Sequence, residues 1–197
     1  MMRDASPESP FIARRPFYFL RHGEADWNVT RMCIGQLDRP LTPRGRTQAE
    51  DARRHCAALD ISAVFHSPLS RAAETAALAM RGRGVSMQVD DGLLEACLGV
   101  KQGAREDDAT DPFLRNWIGG AAIEQAETYV DFQKRVCDAM NRCLAQTVPS
   151  GAPLIVAHAG VYHALREVMG APVGRVFHCV PYMHQPEGAD WRIEVVV

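Results

Sequence analysis

Cations and imidazoles follow two apolar segments of the chain. Arg21 and His22 come directly after the apolar residues 17–20, and His158 ends the apolar run at residues 154–157. Both runs are typical of buried strands, and open α/β sheets bind their ligands outside the carboxyl ends of their strands. Taken singly, either histidine could be a structural residue. A cation beside an imidazole at such an edge points instead to a site for an anion.

Arg71 and Asn28 extend this candidate site. Arg71 lies at the start of a predicted helix that follows another short apolar segment, so its guanidinium could reach the same edge. Guanidinium groups bind phosphate with paired hydrogen bonds, and a helix N-terminus adds backbone N–H donors. Together with the two histidines and Arg21, these residues would form a cage for one phosphoryl group.

The elements that must position these residues alternate between strands and helices. Thr42 as N-cap and Pro43 as first helical residue predict a helix over residues 43–58. Further helices are predicted at residues 68–80, 106–118 and 127–146, and strands at residues 17–20, 62–67, 86–89, 154–157 and 191–197. This order predicts an α/β fold, a three-layer α/β/α sandwich with a mostly parallel central sheet. We interpret the apolar stripe of the helix at 127–146 as core.

The composition is that of an ordinary globular protein. The 197 residues suffice for one domain, and we expect a flexible tail at residues 1–14 followed by a single domain at residues 15–197. A net charge of -2 gives no reason to expect nucleic acid or an anionic membrane as a partner. The first residues lack the apolar run of a signal peptide, and no segment has the composition of a membrane span.

Cysteine and histidine spacing carries little chemistry of its own. The six cysteines contain no Cys-x-x-Cys pair, so we interpret them as reduced thiols of a cytoplasmic protein. His163, five residues after His158, could reach the rim of the site. The other histidines fit no metal-ligand spacing and are interpreted as having no chemical role: His55, His66, His178 and His184.

Five ordered blocks of the sequence resemble the histidine phosphatase superfamily, in its phosphoglycerate mutase-like branch. They are LRHGEADWN, GQLDRPLTPRGRTQAE, SPLSRAAETA, LLEACLG and VAHAG, and they lie within residues 17–165. The tripeptide RHG alone is common, whereas five blocks in this order form a specific signal. The resemblance implies the phosphoglycerate mutase-like fold and chemistry on phosphoesters.

The resemblance also implies a role for each candidate residue. His22 matches the nucleophile that becomes phosphohistidine, and Glu95 matches the proton donor. The other matches fall in the family's phosphate pocket: Arg21, Asn28, Arg71 and His158. The resemblance implies no metal or other cofactor, and the expected partner is a small phosphorylated substrate.

Elementary chemistry agrees with these roles. A neutral imidazole is nucleophilic at neutral pH, because its unperturbed pKa is about 6.5. Phosphoryl transfer needs stabilisation of charge on the equatorial oxygens, which Arg21, Arg71 and a protonated His158 would supply in place of a metal ion. Glu95 would protonate the departing oxygen and then activate water. The alternative for Glu95 is a solvated loop residue.

Two stretches depart from the family's pattern. After Glu95 the run GVKQG places Lys101 and Gln102 where the family usually has an aromatic-acidic pair, in a loop expected to border the substrate entrance. Ala159 stands where a second glycine is common, and its methyl group is expected to narrow the pocket. Specificity should lie in the segment 97–130. The sequence leaves the natural substrate and the oligomeric state open.

Several functions are compatible with the sequence. The leading one is hydrolysis of the phosphomonoester of a small metabolite through phosphohistidine. The acidic segment REDDATD at residues 105–111 would hardly attract the second anion that a phosphoglycerate mutase must hold, which favours hydrolysis over that alternative. A third possibility is a non-catalytic module that binds phosphorylated ligands. A metallohydrolase using His22, His158 and Glu95 is a fourth, although the chain has no His-x-x-x-His signature.

Overall fold

The computed structural model describes residues 10–105, 110–146, 151–172 and 174–197. The strands are β1 (Phe17–Arg21), β2 (Ile61–His66), β3 (Met87–Val89), β4 (Ala152–Ala157), β5 (Pro181–Glu187) and β6 (Asp190–Val195). The helices are α1 (Asp26–Val29), α2 (Pro43–Ala57), α3 (Ser70–Ala79), α4 (Phe113–Ile118), α5 (Tyr129–Ala145) and α6 (Ala159–Val168). In the part of the chain just defined, none of the helices has the length and apolar character that crossing a membrane requires.

The six strands form one mixed sheet in the order β3-β2-β4-β1-β5-β6. The strands from β3 to β1 run parallel to one another, whereas β5 and β6 are antiparallel to the strands they pair with. In the centre, Arg21 of β1 lies beside Ala157 of β4, so these two strands end at the same edge. The predicted mostly parallel α/β sheet is confirmed.

Two apolar clusters cover the two faces of this sheet. Side chains along a strand alternate between faces, and β1 follows this rule: Tyr18 and Leu20 belong to one cluster, Phe17 and Phe19 to the other. Small residues of α2 and α3 complete the first cluster, and larger residues of α5 and α6 complete the second. Helices therefore lie on both faces, which confirms the three-layer arrangement.

Capping residues begin the two longest helices where the sequence predicts. The side-chain oxygen of Thr42 accepts a hydrogen bond from the N–H of Gly45 at 3.0 Å, and Pro43 is the first residue of α2. Thr128 caps α5 in the same way, accepting from the N–H of Asp131 at 3.1 Å. The apolar stripe of α5 is core, as predicted, because its members are buried: Tyr129, Phe132, Val136, Met140 and Cys143.

Three elements differ from the sequence-based prediction. The helix predicted at residues 106–118 begins only at Phe113, and residues 106–109 lie outside the described residues. Neither β5 nor α6 was predicted. Pro181 and Pro186 hide β5, because proline cannot donate to a strand ladder. The start of α6 is hidden because His158 occupies the N-cap position without a side-chain capping bond.

The chain packs against the core before residue 15. Of the tail predicted at residues 1–14, residues 1–9 lie outside the described residues. Ile12 is buried, and the N–H of Ala13 donates to Oδ1 of Asn141 at 2.8 Å. The end of the predicted tail is therefore held by α5. A single domain over residues 15–197 stays a prediction.

Candidate active site

His22 and His158 lie side by side at the carboxyl edge of the sheet. His22 directly follows β1 and His158 directly follows β4, and these strands are parallel neighbours. The backbone N–H of His22 donates to the carbonyl of Ala157 at 3.0 Å, which continues the strand pairing by one residue. The two imidazole centroids are 5.1 Å apart. The topology thus brings together residues separated by more than half of the chain.

The ring of His22 is held in one tautomer. Its Nδ1 lies 2.7 Å from the carbonyl oxygen of Gly23, and a carbonyl can only accept, so Nδ1 carries the proton. In the neutral ring, Nε2 then keeps its lone pair. Burial lowers the pKa of His22 well below its ordinary value, and nearby His158 and Arg71 lower it further. His22 is therefore a neutral imidazole with an unprotonated Nε2 at neutral pH.

His158 is completely buried behind His22. Its Nε2 lies 2.8 Å from the hydroxyl of Ser67, and its buried Nδ1 has no hydrogen-bond partner among the described residues. Burial, followed by the charges of Arg71 and Arg21, lowers the pKa of His158 well below its ordinary value. The expectation of a protonated His158 is therefore wrong for the unliganded site. A bound phosphate dianion would act in the opposite direction and favour the protonated ring.

Arg71 is a buried cation, only 1% exposed. It lies in the first turn of α3, and its guanidinium donates to the carbonyls of Gly35 at 2.8 Å and Leu37 at 2.9 Å. Its Nε has no partner among the described residues. Arginine keeps its charge even when buried. The site therefore contains a fixed positive charge whose orientation is set by the loop that precedes α2.

The glycine of the RHG tripeptide has a packing reason. A Cβ at Gly23 would lie 2.4 Å from the carbonyl oxygen of Gly45, so only glycine allows the loop after β1 to approach α2 this closely. The N–H of Gly23 donates to the hydroxyl of Thr75 at 3.0 Å, and that hydroxyl donates to the carbonyl of Arg71 at 2.7 Å. Thr75 thereby links the loop that holds His22 to the helix that holds Arg71.

Glu95 is fixed against the start of α6. Its Oε2 accepts from the N–H of Gly160 at 3.0 Å, and its Oε1 accepts from its neighbour Ala96 at 2.9 Å. A Cβ at position 160 would lie 2.2 Å from Oε1, so glycine is required for this contact. The backbone carbonyl of Glu95 accepts from Gln36 at 3.0 Å and from Arg135 at 3.3 Å. These contacts do not fit a freely solvated loop residue.

One cavity of about 650 Å³ joins most of the predicted site residues. Five of them line it: Arg21, His22, Asn28, Arg71 and Glu95. His158 does not line the cavity but contacts its wall through His22. Oδ1 of Asn28 accepts from the N–H of Ala25 at 2.9 Å, which leaves the amide nitrogen as a donor. The residues predicted to bind one phosphoryl group are thus gathered in one place.

His178 belongs to this site, although the sequence analysis gave it no role. Its Nδ1 donates to the backbone carbonyl of His22 at 2.6 Å, and the two rings are 5.5 Å apart. Burial, followed by the charge of Arg21, lowers the pKa of His178 to about 4. Ser67 and Thr75 are also additions to the predicted set. Of the other histidines, His163 lines the cavity, as the sequence suggested.

The two departures from the family's pattern have different consequences. Lys101 and Gln102 are not among the residues that line the cavity, so the expectation that they border it is wrong. Gln102 acts one step away: its Oε1 accepts from the N–H of Gln36 at 2.7 Å, next to the Gly35 carbonyl that holds Arg71. Ala159 lines the cavity, where its methyl group occupies space as expected.

Metal ligands do not cluster in the residues that the structure describes. No group of three or more histidine, cysteine, aspartate or glutamate side chains is arranged there to hold a metal ion. The six cysteines, all within those residues, are free thiols. The polar groups at the floor of the cavity are instead donors and imidazoles, which suit an oxyanion.

The fold and the assembled residues define a phosphoester-processing family. The chain belongs to the histidine phosphatase superfamily (branch 1), whose sequence profile matches residues 17–183. It is 32% identical over 194 residues to the probable phosphoglycerate mutase GpmB of Proteus mirabilis, covering 90% of either chain. Its identity to the protein of the same name from Cronobacter sakazakii is 31% over 162 residues, covering 79% of this chain and 75% of the relative.

Solved structures with this fold include proteins named as phosphatases. Mycobacterial glucosyl-3-phosphoglycerate phosphatase, in complex with VO3, has a TM-score of 0.79 and 28% identity, covering 92% of this chain and 98% of its own. Bacillus stearothermophilus YhfR also has a TM-score of 0.79, with 27% identity over 91% of this chain and 95% of its own. Relatives named as mutases and neighbours named as phosphatases share one architecture. The fold alone therefore does not choose between the two activities.

Proposed function

We propose that this chain hydrolyses phosphomonoesters through a phosphohistidine on Nε2 of His22, without a metal or organic cofactor. One observation carries the proposal: the hydrogen bond from Nδ1 of His22 to the carbonyl of Gly23 leaves an unprotonated Nε2 in a cavity that Arg21 and Arg71 also line. A neutral imidazole nitrogen beside fixed cations is suited to attack phosphorus.

In the first step, Nε2 of His22 attacks phosphorus and the ester P–O bond breaks. Negative charge on the equatorial oxygens is stabilised by the guanidinium groups of Arg21 and Arg71 and by the amide donor of Asn28. His158, once phosphate binds, becomes a further donor through its buried Nδ1. Because these groups are held by the fold before substrate arrives, little reorganisation accompanies the reaction.

Glu95 completes both halves of the cycle. Its carboxyl group gives a proton to the departing alcohol oxygen in the first step. It then takes a proton from the water that attacks phosphohistidine, the N–P bond breaks, and inorganic phosphate leaves. The backbone N–H of Gly160 and the carbonyl contacts from Gln36 and Arg135 position it for this exchange.

Hydrolysis is favoured over transfer to a second substrate oxygen. Among the described residues that line the cavity, Arg21 and Arg71 are the lysine or arginine side chains, and both belong to the phosphate end. The other charged groups are the carboxylates Glu95 and Glu167. A phosphoglycerate carboxylate would meet no further cation there. The mutase is kept as the second candidate because the relatives carry that name.

Product analysis tests the proposal. Purified protein should release alcohol and inorganic phosphate from 4-nitrophenyl phosphate, His22→Asn should lose this activity, and a chelator should leave the rate unchanged. With 3-phosphoglycerate, formation of the 2-phospho isomer without inorganic phosphate would favour the mutase. Tight binding of phosphorylated ligands with no turnover by wild type would favour a non-catalytic module, and inactivation by chelator would favour a metallohydrolase. We further propose a cytoplasmic location, which the free thiols support.

A further inference from the structure

Beyond its phosphate end, the cavity has apolar walls. They are built from the loop before α2, the segment after Glu95, and helices α4 and α5. The wall residues that matter here are Ile34, Leu98, Leu114, Trp117, Ile118 and Phe132. Leu114, Trp117 and Ile118 occur at spacings of three and four, so they share one face of α4. A short helix thus presents an apolar stripe to the cavity.

The aromatic part of this wall is rigid. Trp117 is 4% exposed, and its indole N–H donates to the carbonyl of Glu127 at 2.8 Å. Its ring packs edge-on against Tyr129 at 5.0 Å and lies 5.7 Å from Phe132. Because the polar atom of Trp117 is already satisfied, the ring can offer a ligand only apolar surface. The hydroxyl of Tyr129 is likewise committed, since it donates to Glu167.

Two side chains of the same wall are left partly uncovered. Ile118 is 51% exposed, and Leu114 is intermediate in burial, although both line the cavity. Apolar surface at the mouth of a binding cavity is stabilised when a ligand removes it from water. The cavity size lies within the ordinary range of about 300–1,000 Å³ for sites that enclose a small ligand.

The charges around these walls argue against an anionic leaving group. Burial lowers the pKa of His163, so this lining residue is neutral at neutral pH. Glu95 and Glu167 would repel a carboxylate or a second phosphate. The four residues 106–109, outside the described part, have the sequence Glu-Asp-Asp-Ala and therefore add no cation.

We propose that the substrate is the phosphomonoester of a bulky, uncharged alcohol with an aromatic or other apolar body. This inference rests on the proposed function and narrows it. The phosphoryl group binds between Arg21, Arg71 and His22, while the alcohol packs on the wall formed by Leu98, Trp117 and Ile118. Small polar alcohols would leave that wall in contact with water.

Binding of two non-hydrolysable phosphonates tests this inference independently of turnover. We would compare 3-phenylpropylphosphonate with 2-hydroxy-4-phosphonobutanoate by titration calorimetry on the wild-type protein. The first is an isostere of 2-phenylethyl phosphate and the second of 3-phosphoglycerate, so both present the same phosphonate. Burial of the phenyl group should make the first bind between about 10-fold and 100-fold tighter. Equal affinities, or tighter binding of the acid, would overturn the inference.

Ile118→Lys provides the matched variant, with Ile118→Met as its control. Ile118 is half exposed, so a lysine there is tolerated by the fold, and its charge reaches the apolar wall. The lysine variant should lose most of the preference for the phenyl compound and gain affinity for the acid, while the methionine variant keeps the wild-type order. An unchanged preference in Ile118→Lys would place the ligand body elsewhere and contradict the inference.

Turnover separates this inference from the proposed function. The primary alkyl esters 2-phenylethyl phosphate, glycerol 1-phosphate and 3-phosphoglycerate have similar leaving groups, so differences in kcat/KM report on the cavity walls. The phenyl ester should be preferred by a similar factor. If the phenyl phosphonate binds preferentially and none of the esters is hydrolysed, the apolar-ligand inference stands and the hydrolase proposal fails. If all three esters are hydrolysed rapidly with equal kcat/KM, the hydrolase proposal stands and the apolar-ligand inference fails.

Discussion

Nδ1 of His178 donates a hydrogen bond to the backbone carbonyl of His22 at 2.6 Å. The neighbouring residue continues this contact, because the N–H of Cys179 donates to the carbonyl of Arg21 at 2.9 Å. The segment before β5 therefore fixes the backbone that carries the candidate nucleophile. The next carbonyl along the chain, that of Gly23, fixes the imidazole ring itself. His178 is thus a positioning residue for His22.

Replacing His178 with phenylalanine should lower kcat by about 10-fold with little change in KM. The substitution leaves the buried carbonyl of His22 without its donor, and the loop can then move. His178→Asn should recover most of the activity, because its amide N–H2 can donate in place of the imidazole. Steady-state kinetics of the two variants, with melting temperatures to verify folding, check this. Full activity in His178→Phe would show that the contact has no positioning role.

Glu95→Gln should separate the two classes of ester. Glutamine can still accept from Gly160 but cannot deliver a proton to the leaving group. Turnover of an alkyl phosphate should fall on the order of 100- to 10,000-fold. A rapid burst of 4-nitrophenol from 4-nitrophenyl phosphate should persist, since that leaving group needs no proton. Stopped-flow absorbance distinguishes the two, and an equal loss of the burst would argue against Glu95 as the acid.

Gly160→Ala should displace Glu95 without removing its carboxyl group. The added Cβ would meet Oε1 at 2.2 Å, so the carboxylate must move. We expect a decrease in kcat for alkyl phosphates on the order of 100-fold, similar in kind to Glu95→Gln. Gly84→Ala is the control, because a Cβ there meets nothing within 4 Å. Similar rates for the two alanine variants would be the contrary result.

The stability of the fold should fall as the pH drops below about 6.5. His184 is buried and stacked on Phe17 at 4.4 Å, and burial lowers its pKa to about 3. Between these two values the unfolded chain binds a proton at this position and the folded chain does not. Each pH unit therefore removes about 1.4 kcal/mol of unfolding free energy for this residue.

His184→Phe removes this contribution while preserving the aromatic stack. Urea unfolding at several pH values between about 4.5 and 6 should give a shallower loss of stability in the variant, by about one proton. Wild type and variant should differ little in slope above a pH of about 7, where both states of His184 are neutral. Parallel curves across the acidic range would mean that His184 is protonated in the folded protein.

The sequence predicts the phosphate end of the site well because those residues are tied to regular elements. Arg21, His22 and His158 follow buried strands, and Arg71 opens a helix, so strand and helix signals locate them. Parallel pairing of β1 with β4 then brings the two histidines together. The fold class follows from the same alternation of elements.

The residues that the sequence analysis missed are those whose role depends on long-range contact. His178 acts through a hydrogen bond to a residue 156 positions away, and no local pattern marks it. The protonation state of His158 was wrong because its burial and its distance from the arginines depend on tertiary packing. Lys101 and Gln102 were placed at the cavity because they follow Glu95 in sequence, yet the chain turns away after Leu98.

The covalent intermediate provides the most direct test of a nucleophilic His22. The protein should be quenched in alkali during turnover of 4-nitrophenyl phosphate, digested, and mapped by mass spectrometry. We predict one added phosphoryl group on the peptide that contains His22, stable in base, lost in acid and absent from His22→Asn. Turnover with no phosphorylated peptide, or with the phosphoryl group on any other residue, would contradict it.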